Sequence, residues 1–162
     1  MDRGKQNSKK EYGCFVLLLA VSFVIRIILA YKNEGFFSDI SCFYNWSLRA
    51  YDRGLAGFYA EDFFADYPPG YIYISYLMGA VLRYLNCDFL SPVCLIVLKF
   101  PAMLCDMMTG ILVYRVAKGK DHWKRGLLFS ALFLLNPAIM QNSSVWGQVD
   151  SVYTLAVFIM CL

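Results

Sequence analysis

The stretch Tyr12–Tyr31, YGCFVLLLAVSFVIRIILAY, carries one charged side chain, Arg26. A helix needs about 20 residues to cross the hydrocarbon core of a bilayer, and this run supplies them. It is too long for the apolar core of a cleaved leader, and no small-residue cleavage site follows it. A retained membrane span is therefore expected. The chain is 59% hydrophobic and 17% aromatic, above the apolar share of ordinary soluble domains, and its apolar residues fall in long blocks. The fold class read from this is all-α: a polytopic transmembrane helix bundle.

Charge sets the expected orientation. The leader, residues 1–11, holds Arg3, Lys5, Lys9 and Lys10 against Asp2 and Glu11. Between Lys32 and Asp66 the balance reverses, with Glu34, Asp39, Asp52, Glu61, Asp62 and Asp66 against Lys32, Arg49 and Arg53. Lysine and arginine accumulate on the cytoplasmic side. Residues 1–11 are thus read as a cytoplasmic basic leader, and residues 12–162 as the membrane part. The acidic segment lies outside. The chain runs apolar through SVYTLAVFIMCL to Leu162, and 12–162 is read as the N-terminal part of a longer membrane domain.

The acidic segment is no flexible linker. From Ile40, apolar residues recur at Phe43, Tyr44, Ser47, Leu48, Tyr51 and Leu55, near helical spacing. The spacing predicts an outer amphipathic helix along the membrane face, capped by Ser38 or Asp39 and ended by Gly54. Tyr71–Leu85 is short for a crossing, whereas Pro92–Ala117 is long enough. Arg115, Lys118, Lys120, Lys124 and Arg125 follow, against Asp121. The charge rule places that loop inside if only the longer run crosses. GLLFSALFLLNPAIM then returns outward, and QNSSVWGQVD emerges beside the acidic segment. Six cysteines give no framework, although Cys42 and Cys87 face the oxidising side and a pairing between them stays open. NWS at Asn45 and NSS at Asn142 match a glycosylation pattern too short to weigh.

Several polar residues invite a functional reading. Asp39 suits a general base at headgroup depth, and equally a helix N-cap. Asp66 precedes Tyr67, Pro68 and Pro69, where a carboxylate beside a helix N-terminus has a structural role as well. Arg26, Lys99 and Asp106 lie within apolar runs, each costing about 2.5–3.5 kcal/mol near mid-bilayer. Arg26 is close enough to the outer end to snorkel. Lys99 and Asp106 are two helical turns apart, roughly 10 Å, beyond direct pairing. Each then needs another partner, which argues for a polar interior. Trp146, Gln148 and Asp150 gather at the mouth of the last apolar run.

Asp39 in the first outer loop, DYPPGYIY, KFPAMLCDMMTGILVYRVAK, LLNPAIM and VWGQVDS occur here in one order. Together they resemble the GT-C superfamily of integral-membrane glycosyltransferases, and in particular the bacterial group similar to the glycosylphosphatidylinositol mannosyltransferases. That resemblance implies transfer of a sugar, mannose first, from a polyprenyl-phosphate carrier to an acceptor hydroxyl on the non-cytoplasmic face. It places the catalytic acid on Asp39. Arg26, Asp66, Tyr67, Lys99, Asp106, Trp146, Gln148 and Asp150 would contact substrate. The partners implied are the lipid-phosphate sugar donor, membrane lipid, and a lipid, glycan or protein acceptor, with no nucleic acid. No nucleotide site is needed and no cofactor is fixed; a divalent cation stays open without a ligand set. A bacterial plasma membrane is the expected location. The rival from another class is a multi-span transporter or lipid flippase, since Lys99 and Asp106 would also suit an ion path.

Overall fold

In a computed structural model, described over residues 2–59, 63–120 and 122–162 with side chains from Lys9 onward, the apolar runs become helices. Met1, Glu61, Asp62 and Asp121 lie outside the described residues, as do the side chains of Asp2, Arg3 and Lys5. The helices are α1 (Asp2–Lys32), α2 (Phe37–Arg53), α3 (Pro69–Tyr84), α4 (Pro92–Lys118), α5 (Trp123–Leu134), α6 (Pro137–Met140) and α7 (Asp150–Met160). A π-helical turn, Gln141–Trp146, separates the last two. No strand occurs among the described residues.

Two helical segments are long and apolar enough to cross a membrane, Lys9–Lys32 and Pro92–Lys118. At 1.5 Å per residue they extend about 36 and 40 Å, beyond the ~30 Å of hydrocarbon. By the same measure α3 reaches only about 24 Å. Prolines start the helices where a missing N–H costs nothing: Pro69 opens α3, and Pro92 opens α4 behind Ser91, whose hydroxyl accepts from the Cys94 N–H at 3.3 Å.

α4 is the axis of the molecule. α1, α2, α3, α5, the π-helical turn and α7 all pack on it. α1 runs antiparallel to α4: Glu11 accepts from the Tyr114 hydroxyl at 2.7 Å and pairs with Lys118, while Arg26 meets Asp106. α5 also returns along α4, with Ser130 donating to the Gly110 carbonyl at 2.9 Å. That return is interrupted. Pro137 cannot continue α5, and Asn136 caps the next short helix by accepting from the Ala138 N–H at 2.9 Å.

The amphipathic helix begins earlier than its spacing suggested. α2 opens at Phe37 behind Phe36, which makes no side-chain cap, so Asp39 lies inside the first turn and neither Ser38 nor Asp39 is the cap. Gly54 ends it at φ 70° as expected. The segment after it runs back along α2. Arg49 Nε donates to the Phe58 carbonyl at 2.9 Å, and Trp46 Nε1 to the Phe64 carbonyl at 2.9 Å. Tyr67 then packs against Phe43 and Trp46. This return delivers Asp66 and Tyr67 to the start of α2. α3 next follows α2 so closely that a Cβ on Gly79 would lie 2.0 Å from the Ser47 carbonyl oxygen.

That close approach can be tested. Gly79→Ala forces α2 and α3 apart and is expected to cost about 1–3 kcal/mol, read as a lowered thermal midpoint in detergent. Gly13→Ala, where an added Cβ meets nothing within 4 Å, is expected to be neutral or slightly stabilising. Equal midpoints for the two variants would contradict the packing.

Candidate functional site

Three buried charges organise the chain around its polar segment. Asp106, 2% exposed, lies on α4 against Arg26, 0% exposed, with Arg26 Nε 3.4 Å from Asp106 Oδ2. The Arg26 guanidinium therefore turns inward and does not snorkel. It also donates to Ser22 and, at 2.8 Å, to the Leu134 carbonyl left open where α5 ends. Asp106 accepts a 2.6 Å hydrogen bond from Ser143, and Ser151 of α7 lies beside it. A buried ion pair is tolerable when its remaining hydrogen-bonding capacity is met. Here donors from α1 and the π-helical turn meet it.

Lys99, 0% exposed, has a different solution. Its ammonium donates to the Asn33 carbonyl at 2.7 Å and the Val145 carbonyl at 2.9 Å. The expected separation of Lys99 from Asp106 thus resolves into two independent sets of partners. Ser143 and Val145 are both fixed by these groups, so buried charge holds the first half of the segment NSSVWGQVDS.

That segment meets the acidic loop. Gln148 Nε2 donates to Asp39 Oδ2, joining the last polar segment to the first turn of α2. Ser38 Oγ lies 3.4 Å from the other Asp39 oxygen. Asn142 Nδ2 donates to Asp150 Oδ2 at 3.1 Å. The chain reverses at Gly147, φ 90°, where an added Cβ would lie 2.8 Å from Ile40 and 3.3 Å from Lys99. Only glycine fits such a left-handed, crowded position.

Tyr67 stands among the carboxylates. Burial chiefly, then Tyr153, Asp150, Asp39 and Asp66, push its phenol up to about 12. It is a hydrogen-bond donor at neutral pH. Its backbone is held by Tyr59, whose hydroxyl donates to the Tyr67 carbonyl at 2.7 Å. The Cys42 thiol is likewise raised, by burial and then by Asp66 and Asp39. Cys42 and Cys87 are both free thiols, so the pairing left open between them is not formed.

Gln148 thus bonds Asp39, and Asp39, Asp66 and Asp150 lie around Tyr67. Arg26, Lys99 and Asp106 hold the segment that carries Gln148. Trp146 lies edge-on to Phe36, the residue before α2, at 6.1 Å between ring centres. Sequence reasoning missed Asn142, Ser143 and Ser151 as partners, although all three stand in the same polar segment. Ser22 gave no signal, being a small residue in an apolar run. No group of three or more acids, histidines or cysteines among the described residues is arranged to hold a metal ion.

Removing one partner of the pair leaves an uncompensated buried charge, so Arg26→Leu is expected to cost about 3–5 kcal/mol. Arg26→Met combined with Asp106→Leu should recover much of that loss. Thermal unfolding in detergent reads both, and a silent Arg26→Leu would show that the pair bears no load. Comparison of the chain with protein families, with characterised proteins and with solved structures gave no match.

Proposed function

We propose that the chain is the N-terminal part of a multi-span membrane glycosyltransferase of the GT-C kind. It would use a polyprenyl-phosphate sugar, mannose in the first instance, and act on the non-cytoplasmic face. The observation that carries this reading is the Asp39–Gln148 hydrogen bond. It joins the acid of the first outer loop to VWGQVDS, two features far apart in the chain that were singled out for one chemistry.

In the proposed reaction Asp39 takes the proton of an acceptor hydroxyl as the oxygen attacks the anomeric carbon. The bond to the lipid phosphate breaks with inversion, and the phosphate leaves with the electron pair. Gln148 holds one carboxylate oxygen, so the carboxylate is presented in a fixed direction, as a base must be. Asp66, Asp150 and the Tyr67 hydroxyl are placed to bind sugar hydroxyls. Arg26 and Lys99 are engaged by Asp106, Ser22 and backbone carbonyls. They support the segment and are not available to the departing phosphate. Those internal partners also weaken the case for an ion path, because the charges that suggested one are sealed from solvent.

The direct test is sugar transfer by the whole polypeptide in membranes, with polyprenyl-phosphate mannose and glucose as donors. Loss of a general base costs roughly 100- to 10,000-fold, and Asp39→Asn is expected to fall in that range at normal membrane abundance. Gln148→Ala should reduce the rate about 10-fold or more while leaving the donor KM nearly unchanged. Undiminished transfer by Asp39→Asn would remove Asp39 from the chemistry.

A further inference from the structure

A second polar feature lies where the VWGQVDS segment meets the link between α1 and α2, residues 33–36. Between the end of α1 and the π-helical turn is a cleft of about 380 Å³, lined by Asn33, Glu34, Phe36, Gln141, Val145 and Trp146. Its size falls at the low end of the ~300–1,000 Å³ of small-molecule sites. Its walls are fixed. The Phe36 N–H donates to the Trp146 carbonyl at 3.3 Å, and a Cβ on Gly35, φ 84°, would lie 2.6 Å from that oxygen. Beneath, the Lys99 ammonium bonds one carbonyl from each wall, Asn33 and Val145. A buried cation clamps the cleft open at a set width.

The lining has a specific chemistry. Phe36 is 52% exposed and Trp146 is 44% exposed, and their rings meet at 74° to form an apolar corner. Glu34 and Gln141, both exposed, supply a carboxylate and an amide on the rim. A pyranose ring has the matching shape: C–H groups on one face suit an aromatic surface, and hydroxyls around its edge suit a carboxylate and an amide. A lipid chain would leave Glu34 and Gln141 without use. An anion would face Glu34.

We infer that this cleft binds one hexopyranose unit of a glycan, with Trp146 as the stacking platform and Glu34 as the acceptor for its hydroxyls. Its role as the acceptor subsite rests on the transferase reading, because Gln148, two residues from Trp146, holds Asp39. Binding of the sugar does not rest on that reading.

The chain in nanodiscs is titrated with methyl α-mannoside, methyl α-glucoside and the methyl glycoside of N-acetylglucosamine, with open-chain sorbitol as control. Trp123→Phe is used throughout, so that emission comes from Trp146 and from Trp46, which is 3% exposed. At least one pyranoside is expected to shift the emission saturably, with a midpoint in the millimolar range, while sorbitol does not. Trp146→Ala should abolish binding read by saturation-transfer NMR, and Trp146→Phe should retain it. Glu34→Gln should weaken it by about fivefold or more. No saturable response to any pyranoside, equal binding by Trp146→Ala, or an emission that answers only to lipid composition would overturn the inference. Pyranoside binding without sugar transfer would leave the cleft standing and remove the transferase reading.

Discussion

The carboxylate of Asp106 is the joint on which the arrangement depends. It lies on the central helix and receives Arg26 from α1 and Ser143 from the π-helical turn, with Ser151 of α7 beside it. A charge in an apolar interior is costly unless paired and hydrogen-bonded, and that cost turns a single side chain into a constraint on several elements. Any shift of α1 against α4, or of the polar segment against either, would leave the carboxylate partly unsatisfied.

Lys99 applies the same logic to the backbone. An ammonium has three donors and no acceptor, and two of its bonds go to carbonyls that regular helix does not use, at the end of α1 and within the π-helical turn. Helix ends and π turns release carbonyls from the usual ladder. The buried lysine is thus matched to irregular backbone. Its site on α4 places that irregularity beside the acidic loop.

Much of this was legible in the sequence, and the limits have physical causes. Hydropathy marks α1 and α4 because length and apolarity are local properties. The oddity of charge at Arg26, Lys99 and Asp106 was equally plain. Which charge meets which was not, because pairing depends on how α1 and α4 lie against each other. Distance along one helix ruled out Lys99 with Asp106 but could not supply Arg26. The start of α2 was misplaced for a related reason. Asp39 and Ser38 are good caps by type, yet the carboxylate bonds Gln148, a residue 109 positions away, so a distant partner overrode the local preference. The interruption at Asn136–Pro137 was written in its residues, whereas the π-helical turn after it had no composition of its own.

That turn explains how one short segment serves two sides. A π turn carries an extra residue, closing here with the Gly147 N–H on the Asn142 carbonyl at 3.0 Å and the Gln148 N–H on the same oxygen at 2.9 Å. Residues 146 and 148 therefore leave the backbone in directions a regular helix would not give them. Gly147 completes the divergence with a left-handed conformation seated against Ile40 and the Lys99 stem. Trp146 packs edge-on to Phe36, the residue that precedes α2, and Gln148 bonds Asp39 in the first turn of that helix. The same buried lysine that holds the cleft thus also backs the glycine that aims Gln148 at Asp39. The walls of the cleft and the Gln148–Asp39 contact thus share one buried side chain as their support.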